Sequence, residues 1–275
     1  MIRKAVRAGS FYPAQPEHLR QEVAGYLHEG ITKRDAIGLI APHAGYMYSG
    51  KVAGEVYSSI TPSETFVILC PNHTGEGRLF SIMTNGIWQT PLGDVSIDFE
   101  LANKLAVASK YIQTDHLAHL YEHAIEVQLP FLQILFKNFQ IVPICMGYSH
   151  PSMYKEIGME IANCIKLSQK KVTIIASSDM SHEGQLNETT LEKYLKHNDQ
   201  LAIDAILELN EDELIQRVEK SRITMCGYAA ATAMLTAAKQ LGCQKAELIR
   251  YATSWDVTHD YSYVVGYAGI VVWAK

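Results

Sequence analysis

The sequence predicts an α/β fold, a single domain over residues 1–275 with a central, mostly parallel sheet flanked by helices on both faces. Three observations lead there. Short apolar runs alternate with stretches of helical period, the pattern of a sheet threaded by helical crossovers. Most of the runs are apolar almost without interruption, as in strands covered on both faces. Hydrophobic residues make up 48% of the chain, ample for a large core.

In order, Pro16–Gly30 reads as the first helix. The strand Ile37–Ala41 leads through Pro42, which fixes a bend, and Gly45, which allows a tight turn, into a helix over Ser49–Ile60 capped by Ser49. Strands Thr65–Cys70 and Leu79–Thr84 follow, then a hairpin in "GIWQTPLGDVSID" (86–98). Helices over Glu100–Lys110 and Glu122–Phe136 precede the strand Phe139–Cys145, the helix Ser152–Leu167 and the strand Lys171–Ser177. Helices Glu188–Leu209, Asp212–Lys220 and Gly227–Leu241 come next. The last, "GYAAATAMLTAAKQL", is so rich in alanine that it should pack closely and be nearly all buried. Strands Glu247–Ala252 and Tyr263–Trp273 close the chain. There is no repeat and no low-complexity segment.

Composition excludes several classes of function. The net charge is −5, from 24 basic and 29 acidic residues with no basic stripe, so nucleic acid is not an expected partner. The early positive charge of "MIRKAVRAGSFYPAQPEH" is followed by no apolar segment, which argues against a signal peptide. The apolar run "YAGIVVWA" is too short to span a bilayer, so no membrane is expected. Five cysteines, at 70, 145, 164, 226 and 243, show no C-x-x-C spacing and predict free thiols in a reducing cytoplasm.

Ligands of such sheets bind at the carboxyl ends of the strands. Those ends carry His43 in "PHAGYMYSG", His73 in "PNHTGEG", and Asp179 and His182 in "SDMSHEG"; Cys226 in "TMCGYAA" stands at the start of the alanine-rich helix. Any one of these alone reads as a cap, a turn or a small core residue. Converging on one edge, two histidines and a thiolate make a three-ligand metal face with open positions. The helix start favours the Cys226 thiolate. A second cluster, "DHLAHLYEHAIEVQLPFLQ", puts Glu122, His123 and Glu126 on the first turns of a predicted helix, where they either suit the dipole or orient a ligand and bind substrate.

"AGSFYP", "APHAGYMYSG", "PNHTG", "EHAIEVQLPFL", "SSDMSH", "CGYAAATAML" and "SYVVGYAGIVV" occur in one order from about Ala8 to Val272. Together they resemble the MEMO family, known in prokaryotes as protein B of the AmmeMemoRadiSam set and similar in fold to the class III extradiol dioxygenases. The resemblance implies a metal site at one end of the sheet with His43, His73 and Cys226 as ligands. It implies His182 as the acid/base histidine, with Asp179 beside it. His123, Glu126, Tyr12 and Tyr46 are expected around the ligands or the substrate pocket. The implied cofactor is a transition metal: iron first, with copper or zinc as alternatives because a thiolate is softer than the dioxygenases' carboxylate. Where animal members carry a tryptophan in the N-terminal motif, this chain has Phe11. The implied activity is that of a non-haem metal-dependent oxidoreductase on a small molecule or peptide. The alternatives are a non-catalytic module that binds a peptide or partner protein of the AmmeMemoRadiSam set around a structural or redox-sensing metal, and a zinc hydrolase.

Overall fold

The computed structural model describes residues 1–274. The chain opens with β1 (Ile2–Arg3) and α1 (Pro16–Tyr26), then β2 (Ala36–Ala41), α2 (Tyr46–Ser58) and β3 (Thr65–Pro71). Next come β4 (Phe80–Ile82), the hairpin β5 (Ile87–Thr90) and β6 (Gly93–Ser96), α3 (Phe99–Ala108), β7 (Gln113–Thr114) and the single turn α4 (Leu117–Leu120). A 3-10 turn (Glu126–Gln128) runs into α5 (Leu129–Leu135), followed by β8 (Gln140–Met146), α6 (Pro151–Ser168), β9 (Val172–Ser177) and β10 (His182–Gly184). The turn α7 (Glu188–Thr190) passes through a π-helical segment (Leu191–Lys196) into α8 (His197–Leu207). Then follow α9 (Glu211–Ser221), α10 (Tyr228–Gln240), β11 (Lys245–Thr253), the short α11 (Trp255–Thr258) and β12 (Tyr263–Trp273).

The main sheet runs β10-β12-β2-β9-β3-β8-β4-β7, with β11 also on β12. Its middle, β2-β9-β3-β8, is parallel, and these strands are buried almost residue for residue, as their unbroken apolar runs predict. The flanks make the sheet mixed: β12 is antiparallel to β2, β10 and β11, and β4 to β8. Helices cover both faces. A Cβ built on Gly269 of β12 would strike Val56 of α2, and one on Gly38 of β2 would strike Met234 of α10. In α10 every residue from Ala229 to Ala238 is buried, as its alanine content predicts.

Three expectations are corrected. The helix predicted over Glu122–Phe136 begins late, so Glu122 and His123 lie in a loop ahead of it. Pro130 lacks an N–H and its ring crowds the preceding turn, so it suits a helix start and would break a helix begun at Glu122. Ser49 is not a cap: Gly45 occupies that position, and the Ser49 hydroxyl donates to the Ala44 carbonyl at 3.1 Å inside α2. The strand predicted over Leu79–Thr84 shortens to β4. The hairpin expected in 86–98 is present as β5 and β6, and it pairs with β1 in a small sheet of its own.

Candidate metal centre

Because β2, β9, β3 and β8 are parallel, their carboxyl ends share one edge. There β2 delivers His43, β3 delivers His73, and β9 delivers Asp179 and His182. His43 is 2% exposed. Its backbone N–H donates to Asp179 Oδ1 at 2.8 Å, and its Nδ1 lies 2.9 Å from Ser177 Oγ.

The surrounding bonds decide the His43 tautomer. Gln128 Nε2 donates to the Pro42 carbonyl at 3.0 Å, and a carbonyl can only accept, which fixes the amide orientation. The other Nε2 hydrogen goes to Ser177 Oγ at 2.8 Å, while Tyr57 donates to Gln128 Oε1 at 2.8 Å. The Ser177 hydroxyl spends its own proton on the Ala124 carbonyl at 2.7 Å. Ser177 therefore has only lone pairs for His43, so Nδ1 carries the hydrogen and Nε2 presents its lone pair. Burial, then the charge of His73, hold the His43 pKa well below its ordinary value, which keeps the ring neutral.

Glu122 organises the other two rings. Fully buried, it accepts the His73 backbone N–H at 2.7 Å, His73 Nδ1 at 3.0 and 3.1 Å, and the backbone N–H groups of His123 and Ala124 at 2.8 and 2.9 Å. Burial alone would raise its pKa, but the hydrogen bond and charge of His73, then His123, pull it down to about 2. His73 thus donates from Nδ1 and offers Nε2. Burial would lower the His73 pKa, but the hydrogen bond and charge of Glu122 outweigh it and the net shift is upward. His123 Nδ1 is 3.4 Å from Glu122 Oε1, and burial, then His43, lower its pKa to about 3.

The ring centroids of His43, His73 and His123 lie 4.9–5.5 Å apart. One nitrogen from each falls within 4.8 Å of the other two, close enough to share an ion. With Nδ1 of His43 bonded to Ser177 and Nδ1 of His73 to Glu122, the Nε2 atoms of these two rings are the ones left to bind. Imidazoles braced by a hydrogen bond on the far nitrogen, as His43 and His73 are, give transition metals the other nitrogen once that nitrogen is free of its proton.

Cys226 stands on the Nε2 side of His43, its sulfur 3.3 Å from that nitrogen and 3.3 Å from the Asp179 backbone nitrogen. Gly227 makes this approach possible, because a Cβ there would lie 2.5 Å from the Ser178 Cβ. Burial and the charge of Asp179 push the thiol pKa up. Cys226 reaches His43, yet falls outside the group of ligand atoms that closes within 4.8 Å. His182 Nδ1 lies 3.1 Å from the Thr224 carbonyl and so carries its hydrogen, which leaves Nε2 as an acceptor, 4.0 Å from Asp179 Oδ2. Burial raises the Asp179 pKa.

His43, His73, His123, Asp179 and His182 floor an open cleft of about 550 Å³ walled by Phe11, Tyr48, Tyr263 and Tyr267. Tyr12, Tyr46 and Glu126, expected around it, do not line it. Tyr46 is core, its hydroxyl donating to the Val127 carbonyl at 2.6 Å. Glu126 pairs with buried Arg3 and accepts from the backbone N–H groups of Val6 and Arg7 and, at 2.5 Å, from the Tyr12 hydroxyl. That carboxylate pins the N-terminal segment and is saturated. His123, expected as a neighbour of the ligands, stands among them. Its signal lay in "EHAIE", hidden because a helical reading turns Glu122 and His123 onto different faces. Gln128 and Ser177 gave no signal at all.

The Memo-like protein family model matches residues 3–271. A MEMO1 family protein of Methanococcoides burtonii is 45% identical over 273 residues, covering 98% of this chain and all of that protein. Others from Methanocaldococcus jannaschii and Sulfolobus acidocaldarius are 42% and 40% identical, each covering 98% of this chain and 99% of theirs.

Proposed function

The chain belongs to the Memo-like protein family, and on that footing we propose that it is a metal-binding protein with the capacity for metal-dependent redox chemistry. The observation that carries the reading is the trio of converging histidines, His43 braced on Nδ1 by Ser177 and His73 by the buried carboxylate of Glu122, which His123 also adjoins. His43 and His73 anchor the ion, and the third ligand is His123 or Cys226. Iron is the first candidate. Thiolate ligation by Cys226 would shift the preference toward copper or zinc. A bound metal supplies Lewis acidity and, for iron or copper, electrons. The chain's own contribution follows from the tautomers: His182 Nε2 accepts a proton from whatever occupies the cleft, and Asp179 stabilises the imidazolium so formed. Phe11, Tyr48 and Tyr263 hold a small molecule or peptide side chain. Partner proteins of the AmmeMemoRadiSam set are the expected context.

Anaerobic calorimetric titration with Fe(II), Cu(I) and Zn(II) under reducing conditions tests this. His43→Ala and His73→Ala should each abolish tight binding. Comparison of His123→Ala with Cys226→Ser names the third ligand: the variant that loses affinity held it. His182→Ala should bind metal as the wild type does while lowering any turnover by about 10²–10⁴-fold. If His182→Ala loses metal as well, the site is a closed structural one and the partner-binding reading prevails.

A further inference from the structure

Beneath the histidine face lies a second cluster that metal binding leaves unused. Cys70 and Cys145 stand directly opposite one another in the parallel β3–β8 ladder. Both are fully buried, and their sulfurs are 3.4 Å apart. Neighbouring strands lie about 4.8 Å apart, which brings opposed Cα atoms inside the range a disulfide bridges. His119, also fully buried, places Nδ1 at 3.4 Å from the Cys145 sulfur, and its Nε2 has no hydrogen-bond partner. A thiol pair with a base against one member is the arrangement of a reactive dithiol.

We propose that Cys70 and Cys145 form a peroxide-sensitive modification site, which closes to a disulfide and thereby loosens the hold on His73.

Cys145 is the attacking sulfur, because it alone touches His119. Burial raises its pKa, but the hydrogen bond from Cys70 and the charge of His119 bring it down to about 6, whereas burial pushes Cys70 well up. His119 takes the Cys145 proton, and the thiolate attacks one oxygen of hydrogen peroxide. The O–O bond breaks, a sulfenic acid forms, and the departing hydroxide leaves as water with the proton from His119. The Cys70 thiol then attacks the Cys145 sulfur. The S–S bond forms, the S–O bond breaks, and the oxygen leaves as a second water carrying the Cys70 proton. Two thiols and one peroxide give one disulfide and two waters, two electrons passing from sulfur to oxygen. Burial makes the reaction slow and restricts it to an oxidant of water's size.

Both ends of this pair lead to His73, and this part of the inference rests on the metal reading. Cys70 lies three residues before His73 on the same strand end, and His119 three residues before Glu122, the carboxylate that accepts from His73. Closing the bond draws the sulfurs from 3.4 Å to about 2.05 Å and takes Cys145 away from His119.

The test begins with reduced, metal-free, full-length protein treated with hydrogen peroxide, quenched, alkylated under denaturing conditions and mapped as non-reduced peptides. The expected product is a Cys70–Cys145 cross-linked peptide about 2 Da lighter than the two thiol peptides together. Dithiothreitol should reverse it, and Cys145→Ala and Cys70→Ala should each lack it. Recovery of both residues as alkylated thiols, at a dose that oxidises Cys226 or Cys243, overturns the proposal without reliance on any variant. Co(II) titration followed by absorbance then reads the coupling. Oxidised wild type should bind about tenfold or more weakly, and peroxide-treated Cys70→Ala should be unaffected. A disulfide that forms while Co(II) affinity stays constant overturns the link to His73. If Co(II) fails to bind even reduced protein, the metal reading is what fails, and the peptide map alone decides the dithiol.

Discussion

Gln128 and Ser177 are not themselves among the ligands, yet between them they place the proton on the far side of His43. Gln128→Leu or Ser177→Ala removes the acceptor logic that holds Nδ1–H, so Nε2 is no longer reserved for metal. Each should weaken metal binding by about 10–100-fold in a calorimetric titration while circular dichroism stays native. Asp199 is a second residue whose environment speaks plainly. It is fully buried, accepts the Ser181 backbone N–H at 2.8 Å and the Tyr251 hydroxyl at 2.6 Å, and burial raises its pKa to about 6. A carboxyl titrating at about 3.9 when unfolded and higher when folded binds more protons in the native state. Its contribution is therefore complete below about pH 4 and lost as pH rises through 6, an order of about 3 kcal/mol. Asn keeps an acceptor for Ser181 and a donor for the Tyr251 oxygen and does not titrate. Denaturant unfolding of Asp199→Asn should thus show a stability gain over wild type that is larger at pH 7.5 than at pH 4.5; a constant difference would sink the assignment.

Among the elements, the loop from α4 to α5 carries the most consequence for its length. Its two carboxylates serve opposite tasks. Glu122 turns inward to the histidines, and Glu126 turns to the N-terminal segment. Arg3 and Glu126 form a buried ion pair, and removing one partner leaves the other charged and unpaired. Glu126→Ala should cost about 3–5 kcal/mol by chemical denaturation and expose the first dozen residues to limited proteolysis. Phe11 is carried by that segment and packs edge-on against His123 at 4.9 Å, so the cleft wall should loosen with it. The late start of α5 is what permits this division. Had a helix begun at Glu122, the two acids would have lain on one face, close enough to repel.

The whole molecule is a parallel core closed by antiparallel flanks, with β12 reaching from the core out to the cleft. Among the described residues, no helix is long and apolar enough to cross a membrane. The site draws on β2, β3 and β9 and on the loop after α4, so metal can bind fully only when the sheet is assembled, and binding should stabilise the fold by mass action. At a free metal concentration one hundred times Kd, linkage gives about 2.7 kcal/mol, which for a chain of this size is a rise in Tm of about 5–10 °C. Thermal unfolding with and without the metal checks this, and His73→Ala should show no rise.

The alternation of apolar runs determined the class of fold, because a run covered on both faces has no period to hide. It also sent His43, His73, Asp179, His182 and Cys226 to one edge, since parallel strands must share their carboxyl ends. What those residues do there was not legible. His123 joined His43 and His73, 80 and 50 residues away in sequence, and Glu126 left for the N-terminus on contacts more than a hundred residues apart. The proton on His43 depends on a chain of bonds through Pro42, Gln128, Ser177 and Ala124, each ordinary in sequence. Local pattern encodes which face of an element is apolar. Hydrogen-bond direction depends on which donors and acceptors remain unspent after packing, and only the tertiary structure decides that.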